Sequence, residues 1–165
     1  MPAILDHGKI MQLVAARLAT ALAGQPLTLL MPGDDEPVQG SATAQVLLRL
    51  LAVDVAPLPS MRDELSTALG TIVVTLEAMS PPSVTVQSFG AVSEAASLGA
   101  KALCQRTLLE SGTQIDFEPT PQYVPGKAAD SSGQRRLLTC AVIVAGTVLR
   151  DGGASSDTMA QLMPR

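Results

Sequence analysis

The sequence predicts an α+β fold in which a mainly antiparallel β-sheet carries two helices packed on one face. The chain has 165 residues, of which 47% are hydrophobic and 16% charged, and this is enough to fill one hydrophobic core. Apolar residues recur at helical spacing in two segments and alternate in several others. Because the elements follow in the order helix, strand, strand, strand, helix, strand, strand, the helices segregate from the strands. We expect a single domain over residues 1–153, followed by a flexible tail over 154–165.

The first helix is predicted near the start of the chain. Asp6 is a suitable N-cap, and Gly24 is a suitable end signal. The apolar positions that share one helical face are Ile10, Leu13, Val14, Leu18, Ala21 and Leu22.

Three strands are predicted next, after a loop over Met31–Ala44 that is rich in proline, glycine and acidic residues. Gln45–Val55 is almost continuously apolar, which indicates a strand buried on both faces. Thr71–Ala78 and Ser83–Phe89 both alternate, and we expect them to pair as antiparallel neighbours.

The second helix is predicted to begin at Ser93, as its cap, and to run to about Glu110, where Gly112 ends it. Several of its residues are small, so it can lie very close to the sheet: Ala95, Gly99 and Ala102.

The last third of the chain is predicted to contain two strands separated by an arm. Gln114–Glu118 is a short strand, and Arg135–Leu149 is a long β-branched one. Between them, Pro119–Gln134 carries three prolines and several turn residues, which favours a long irregular arm.

No catalytic residue, metal ligand or cofactor site is predicted. His7, the only histidine, has no nucleophile motif beside it and is interpreted as a solvated residue at a helix start. Cys104 and Cys140 lie in apolar runs and are interpreted as buried reduced thiols. Gly126-Lys127 does not complete a phosphate-binding loop, since the flanking motif positions are occupied by Pro121 and Ala128.

The charge distribution argues against binding to nucleic acid or membrane. The net charge is −4, and Arg135–Arg136 is the only pair of adjacent cations. The apolar stretch Met11–Ala23 is interrupted by Arg17 and is shorter than a membrane span. We therefore expect a soluble protein made in the cytoplasm.

Contact with other proteins is the predicted role of the remaining features. Tyr123 and Val124 lie in the middle of the proline-stiffened arm, where an aromatic side chain can anchor on a neighbouring surface. The alternative is a loose loop with Tyr123 packed on its own sheet. The long apolar strands Val46–Val55 and Leu137–Leu149 would be hazardous if left as open edges, so we expect another subunit to pair with them. The candidate interface residues are Tyr123, Val124, Lys127, Arg135, Arg136, Asp34, Asp35 and Glu36.

The layout resembles the tail terminator or tail-completion proteins of tailed bacteriophages over roughly residues 8–150. The resemblance rests on the helix at Ser93–Leu103, the strand Val84–Phe89 before it, the stretch Gln114–Phe117, and a polar arm that ends at a basic residue entering the strand Arg135–Val144. The chain departs from the pattern in its scarcity of aromatic residues.

This resemblance implies a structural virion protein that is not an enzyme. It implies a homo-oligomeric ring, usually hexameric, that stops polymerisation of the tail tube and joins the tail to the head connector. DNA would pass through its channel without specific binding, and the protein would be assembled in the host cytoplasm into the tail or neck of the virion. The alternatives are another neck or tail-tube ring protein, a non-viral oligomeric shell or scaffold subunit, or a small soluble α+β enzyme or ligand-binding domain whose site the sequence does not display.

Overall fold

In the computed structural model, which describes residues 5–34, 46–58, 67–79, 89–110, 112–124, 129–130, 136–137 and 139–151, the first helix, α1, spans His7–Ala21. Asp6 caps it as predicted, because its side chain accepts a hydrogen bond from the backbone N–H of Lys9 at 3.2 Å. The chain leaves the helix through Gly24, whose φ of 80° suits glycine.

The strands of the main sheet are β1 Leu27–Leu30, β2 Val46–Pro57, β3 Thr67–Met79, β4 Thr107–Glu110, β5 Thr113–Phe117, β6 Gln122–Val124 and β9 Thr139–Asp151. They lie in the order β1-β2-β3-β9-β5-β4, and β6 also pairs with β9. All described pairings are antiparallel except that of β1 with β2. The predicted α+β class with a mainly antiparallel sheet is therefore confirmed.

The hydrophobic core lies between this sheet and the two helices. The second helix, α2, spans Phe89–Leu103. Alternate residues of β3 and β9 point toward the helices and are fully buried: Ile72, Val74, Leu76, Ala78, Val142, Val144 and Val148. They form one cluster with buried residues of α1 and α2, so both helices pack on the same face, the inner face. The opposite side is called the outer face below.

The predicted extent of the second helix is wrong at both ends. It begins at Phe89, so Ser93 lies inside it instead of capping it. It ends at Leu103, because Gln105 adopts a left-handed backbone with φ of 56°. Thr107–Glu110 is consequently the strand β4, which turns through Gly112 into β5.

The strand order also differs from the prediction. β1, which the sequence analysis assigned to no element, pairs in parallel with β2. The predicted partner of Thr71–Ala78 was Ser83–Phe89, but β3 pairs with β2 on one side and β9 on the other. Residues 83–88 lie outside the described part of the chain, and Phe89 begins α2.

The expectation that the two long apolar strands are open edges is wrong for β9 and for the first part of β2. β2 lies between β1 and β3, and β9 lies between β3 on one side and β5 and β6 on the other. β1 pairs only with Val46–Arg49, so the register gives Leu50–Pro57 of β2 a strand partner in β3 alone, whereas β9 has described partners along most of both sides.

The predicted arm is partly regular. Within it, β6 pairs with β9, which places Gln122 opposite Ile143. The strands β7 Ala129–Asp130 and β8 Arg136–Leu137 form a separate two-stranded pair. The predicted strand Arg135–Leu149 is therefore divided into β8 and the longer β9. The predicted tail over 154–165 lies outside the described residues. In the described part of the chain, neither helix has the length and hydropathy to cross a membrane.

Candidate interaction surface

Among the predicted interface residues that the structure describes, Asp34 lies near one end of the main sheet, and Tyr123 and Val124 lie near the other. Tyr123 and Val124 belong to β6 and are 46% and 39% exposed. Asp34 lies in an exposed turn after β1, where its Oδ2 accepts a hydrogen bond from the backbone N–H of Met31 at 2.8 Å. Arg136 lies in β8. The other predicted residues are outside the described part of the chain: Asp35, Glu36, Lys127 and Arg135.

The strand register gives the separation of these two sides. One residue from each of five neighbouring strands lies in a row across the outer face, in the order Leu30, Arg49, Glu77, Ala141 and Val124. With a strand spacing of roughly 4.8 Å, the two ends of this row are about 19 Å apart along the sheet. The turn holding Asp34 follows one end, and β6 forms the other. Asp34 and the pair Tyr123–Val124 therefore do not lie in one patch.

The centre of the outer face is apolar and partly exposed, because no described helix covers it. Val73 and Thr75 of β3 lie beside Ala145 and Ile143 of β9, and all four are half-buried. Partly exposed apolar side chains on a sheet face, such as Val73 and Ile143, can contact another protein surface.

A second row, at the far end of the outer face, contains two exposed leucines that sequence reasoning missed. The register aligns Leu69, Leu149, Gln114 and Leu109 from β3, β9, β5 and β4. Leu69 is 44% exposed and Leu109 is 65% exposed. Assigning Thr107–Glu110 to a helix concealed Leu109; a strand interpretation would have revealed it as an outward apolar residue.

Asp116 organises the polar part of this region. Its Oδ1 accepts a hydrogen bond from the Thr107 hydroxyl at 2.6 Å, and its Oδ2 accepts one from the Gln114 amide at 2.8 Å. Both carboxylate oxygens are thus occupied by neighbouring side chains, and β4 is fixed against β5.

The residues with potential reactivity are engaged or shielded. Although the His7 side chain is exposed, its Nε2 lies 2.7 Å from the Val53 carbonyl oxygen, which is the distance of a hydrogen bond. Cys104 and Cys140 are free thiols, as predicted, but only Cys140 is fully buried and Cys104 is half-buried; burial raises the pKa of each. A raised pKa keeps a thiol protonated and weakly nucleophilic. Among the described residues, no group of three or more His, Cys, Asp or Glu side chains has the arrangement of a metal site.

Comparison with known proteins gives a structural likeness only. No family model matches the chain, and no curated protein does. Eleven chains of solved structures match. One belongs to the virion of a native gene transfer agent particle; it aligns with a TM-score of 0.53 and 14% identity, over 85% of this chain and 94% of its own length. At that identity the likeness shows a shared fold.

Proposed function

We propose that this chain is a structural protein of a phage-like virion. The observation that carries the proposal is the shared fold with a chain of the gene transfer agent virion, which extends over almost the whole length of both chains. Assembly from many protein subunits also accords with an apolar outer face that no described helix covers, where Val73 and Ile143 are half-buried.

The specific role we propose is a ring, with six subunits, at the head-proximal end of the tail. There it would terminate polymerisation of the tail tube and join the tail to the head connector. A ring requires a heterologous contact, in which one side of each subunit meets a different side of the next. The opposite positions of the Asp34 turn and the Tyr123–Val124 edge supply two such different sides.

The ring is tested by measuring the native mass of the purified chain and then adding it to purified tail tubes. We expect a species of about six copies, which caps tubes and stops their elongation in electron micrographs. Val124→Asp and Asp34→Arg should each weaken this species, because they alter the two sides that we assign to the contact. Glu94→Arg, a charge reversal at an exposed position of α2, serves as the control.

Three outcomes would contradict the specific role. Incorporation along the whole tube would indicate a tube protein, and a ring located below the connector without effect on tube length would indicate another neck protein. A monomer that binds a small molecule in a defined pocket would favour the enzyme or ligand-binding alternative.

The proposed channel should permit DNA to pass without holding it. A subunit with 11 basic and 15 acidic residues repels the phosphate backbone at long range. We expect no measurable binding of duplex DNA even at low salt, where electrostatic attraction is greatest. Tight binding in a filter or anisotropy assay would contradict this part of the proposal.

A further inference from the structure

The exposed strand β4 is the terminal strand of the described sheet on the side away from β1. Of its residues, Thr107, Leu109 and Glu110 are exposed, as is Arg106 immediately before it. The backbone N–H of Phe117 donates to the Arg106 carbonyl at 3.1 Å, so Arg106 faces β5. Backbone groups alternate in an antiparallel ladder, and those of Thr107 and Leu109 therefore point away from β5. β4 thus presents two N–H and two C=O groups at its open edge.

We propose that this edge pairs with β4 of a second copy of the chain, antiparallel and around a two-fold axis at Leu108. In this register Thr107 of each copy lies opposite Leu109 of the other. Both residues direct their backbone N–H and C=O groups outward. Each Thr107–Leu109 pair across the two copies can therefore exchange two backbone hydrogen bonds, as the hydrogen-bonded pairs of an antiparallel ladder do. Side chains that face each other in this arrangement also lie on the same side of the sheet.

The charges at the two ends of β4 favour the same register. Arg106 of each copy lies opposite Glu110 of the other, and both side chains are exposed. The contact therefore contains two identical pairs of opposite charge. In-register parallel pairing would instead place each charged side chain beside the same residue of the second copy. The repulsion between these like charges disfavours parallel pairing.

Two further features prepare the edge for pairing. The hydrogen bond from the Thr107 hydroxyl to Asp116 holds β4 against β5, so little order is lost on association. Leu109, which is 65% exposed in the single chain, would lie beside Thr107 of the second copy and lose contact with water.

This contact goes beyond the proposed ring. A two-fold interface uses the same surface on both copies and joins only two of them, whereas a ring needs two different surfaces on each subunit. The two contacts can therefore be tested separately.

The experiment measures self-association of the full chain by sedimentation over a range of concentrations. Arg106→Glu and Glu110→Arg should each raise the dimer dissociation constant by about tenfold or more, since each creates two like-charged pairs. The double variant carrying both changes restores opposite charges and should return the constant to within about threefold of the original. Lys101→Glu and Glu94→Arg, at exposed positions of α2, control for the change in net charge.

A second variant tests the backbone pairing itself. Leu109→Pro removes an N–H that points outward, so it should abolish the dimer while the β4–β5 ladder remains. Thermal unfolding followed by circular dichroism verifies that each variant is folded.

A chain that stays monomeric at every concentration would overturn the proposal. So would an assembly that is insensitive to the Arg106 and Glu110 changes, although a ring could still stand in that case. The β4 proposal would also be overturned if Asp34→Arg weakened self-association and Glu110→Arg had no effect. That result would indicate a contact at the β1 end of the sheet instead.

Discussion

Gly99 permits α2 to lie close to the sheet, and substituting it tests how tightly the two layers pack. A Cβ atom at this position would lie 2.8 Å from Leu76 Cδ1 and 3.0 Å from Leu48 Cδ2. Carbon atoms normally approach to roughly 3.5–4.0 Å, so both leucine methyl groups would have to move. Leu76 and Leu48 are fully buried in the core, which leaves them little space.

The expected change in the free energy of unfolding for Gly99→Ala is the sum of two opposing effects. Alanine favours a helix over glycine by about 1 kcal/mol. Overpacking a filled core costs about 1–3 kcal/mol. We therefore expect the free energy of unfolding to fall by up to about 2 kcal/mol. Gly99→Val adds two methyl groups beyond the Cβ and should destabilise the protein by about 3 kcal/mol or more.

The assay is urea unfolding followed by circular dichroism, with the slope of the transition compared between variants. Gly8→Ala on α1 is the matched control, because the nearest atom to its Cβ is Asp6 Oδ1 at an ordinary 3.5 Å. We expect this control to stabilise the protein by about 0.4–1 kcal/mol. The reasoning is refuted if Gly99→Ala stabilises the protein as much as Gly8→Ala does.

A double variant that combines Gly99→Ala with Leu76→Val extends the test, because its cost can be compared with the sum of the costs of the two single variants. Shortening Leu76 removes the methyl group that the new Cβ meets, so the combined cost should be smaller than the sum by about 0.5 kcal/mol or more.

Three other predictions concern local conformation and burial. Gln105→Gly should raise the free energy of unfolding by about 1 kcal/mol, because φ of 56° is strained for a residue with a Cβ; Gln105→Ala should give no such gain. Gly146→Ala should lower the free energy of unfolding by about 2 kcal/mol or more in the same urea assay. The new alanine Cβ would overlap the backbone carbonyl oxygen of Asp116, which cannot rotate away as a side chain could. The thiols of Cys104 and Cys140 have pKa values in the folded protein that lie above their values in the unfolded chain. Their contribution to stability is therefore present below the unfolded pKa and is lost as the pH rises through it toward the folded pKa. Unfolding midpoints measured from pH 7 to pH 10 should decline over the alkaline part of this range.

Each of these has a contradicting result. Equal stability of the glycine and alanine variants at position 105 would mean that the left-handed conformation carries no strain. A stable Gly146→Ala protein would mean that β9 can move away from β5. Replacing both cysteines by alanine should remove part of the alkaline decline, and an unchanged pH profile would contradict the assignment.

Local sequence was sufficient to predict the first helix and the central strands. The cap at Asp6 and the spacing of Ile10, Val14 and Leu18 act within a few residues, and the structure confirms both. Alternation in Thr71–Ala78 likewise predicted which side chains of β3 face the core. The small size of Gly99 predicted that α2 approaches the sheet closely. The structure confirms this, because a Cβ atom at Gly99 would lie within 3.0 Å of methyl groups of Leu76 and Leu48.

The end of α2 was beyond local sequence. Thr107 and Leu108 fit one face of a helix and also fit a strand, because short apolar segments suit both periods. Pairing with β5, which places Leu108 opposite Ile115, decides in favour of the strand. The exposed Leu109 therefore became visible only with the tertiary structure.

The sequence by itself determined the class of fold, the core residues of α1 and β3, and the absence of any recognisable catalytic motif, because hydrophobic periodicity and composition are local properties. It did not determine the burial of β2, which was predicted to be buried on both faces but exposes Leu51. Tertiary structure decided which strands are neighbours, since pairing joins segments far apart in the chain, such as β3 with β9. It showed that β9 is interior, that β1 covers the first part of β2, and that one end of the described sheet is the short strand β4. It also separated Asp34 from Tyr123, two residues that sequence reasoning had grouped as one interface, by placing them on opposite sides of the sheet.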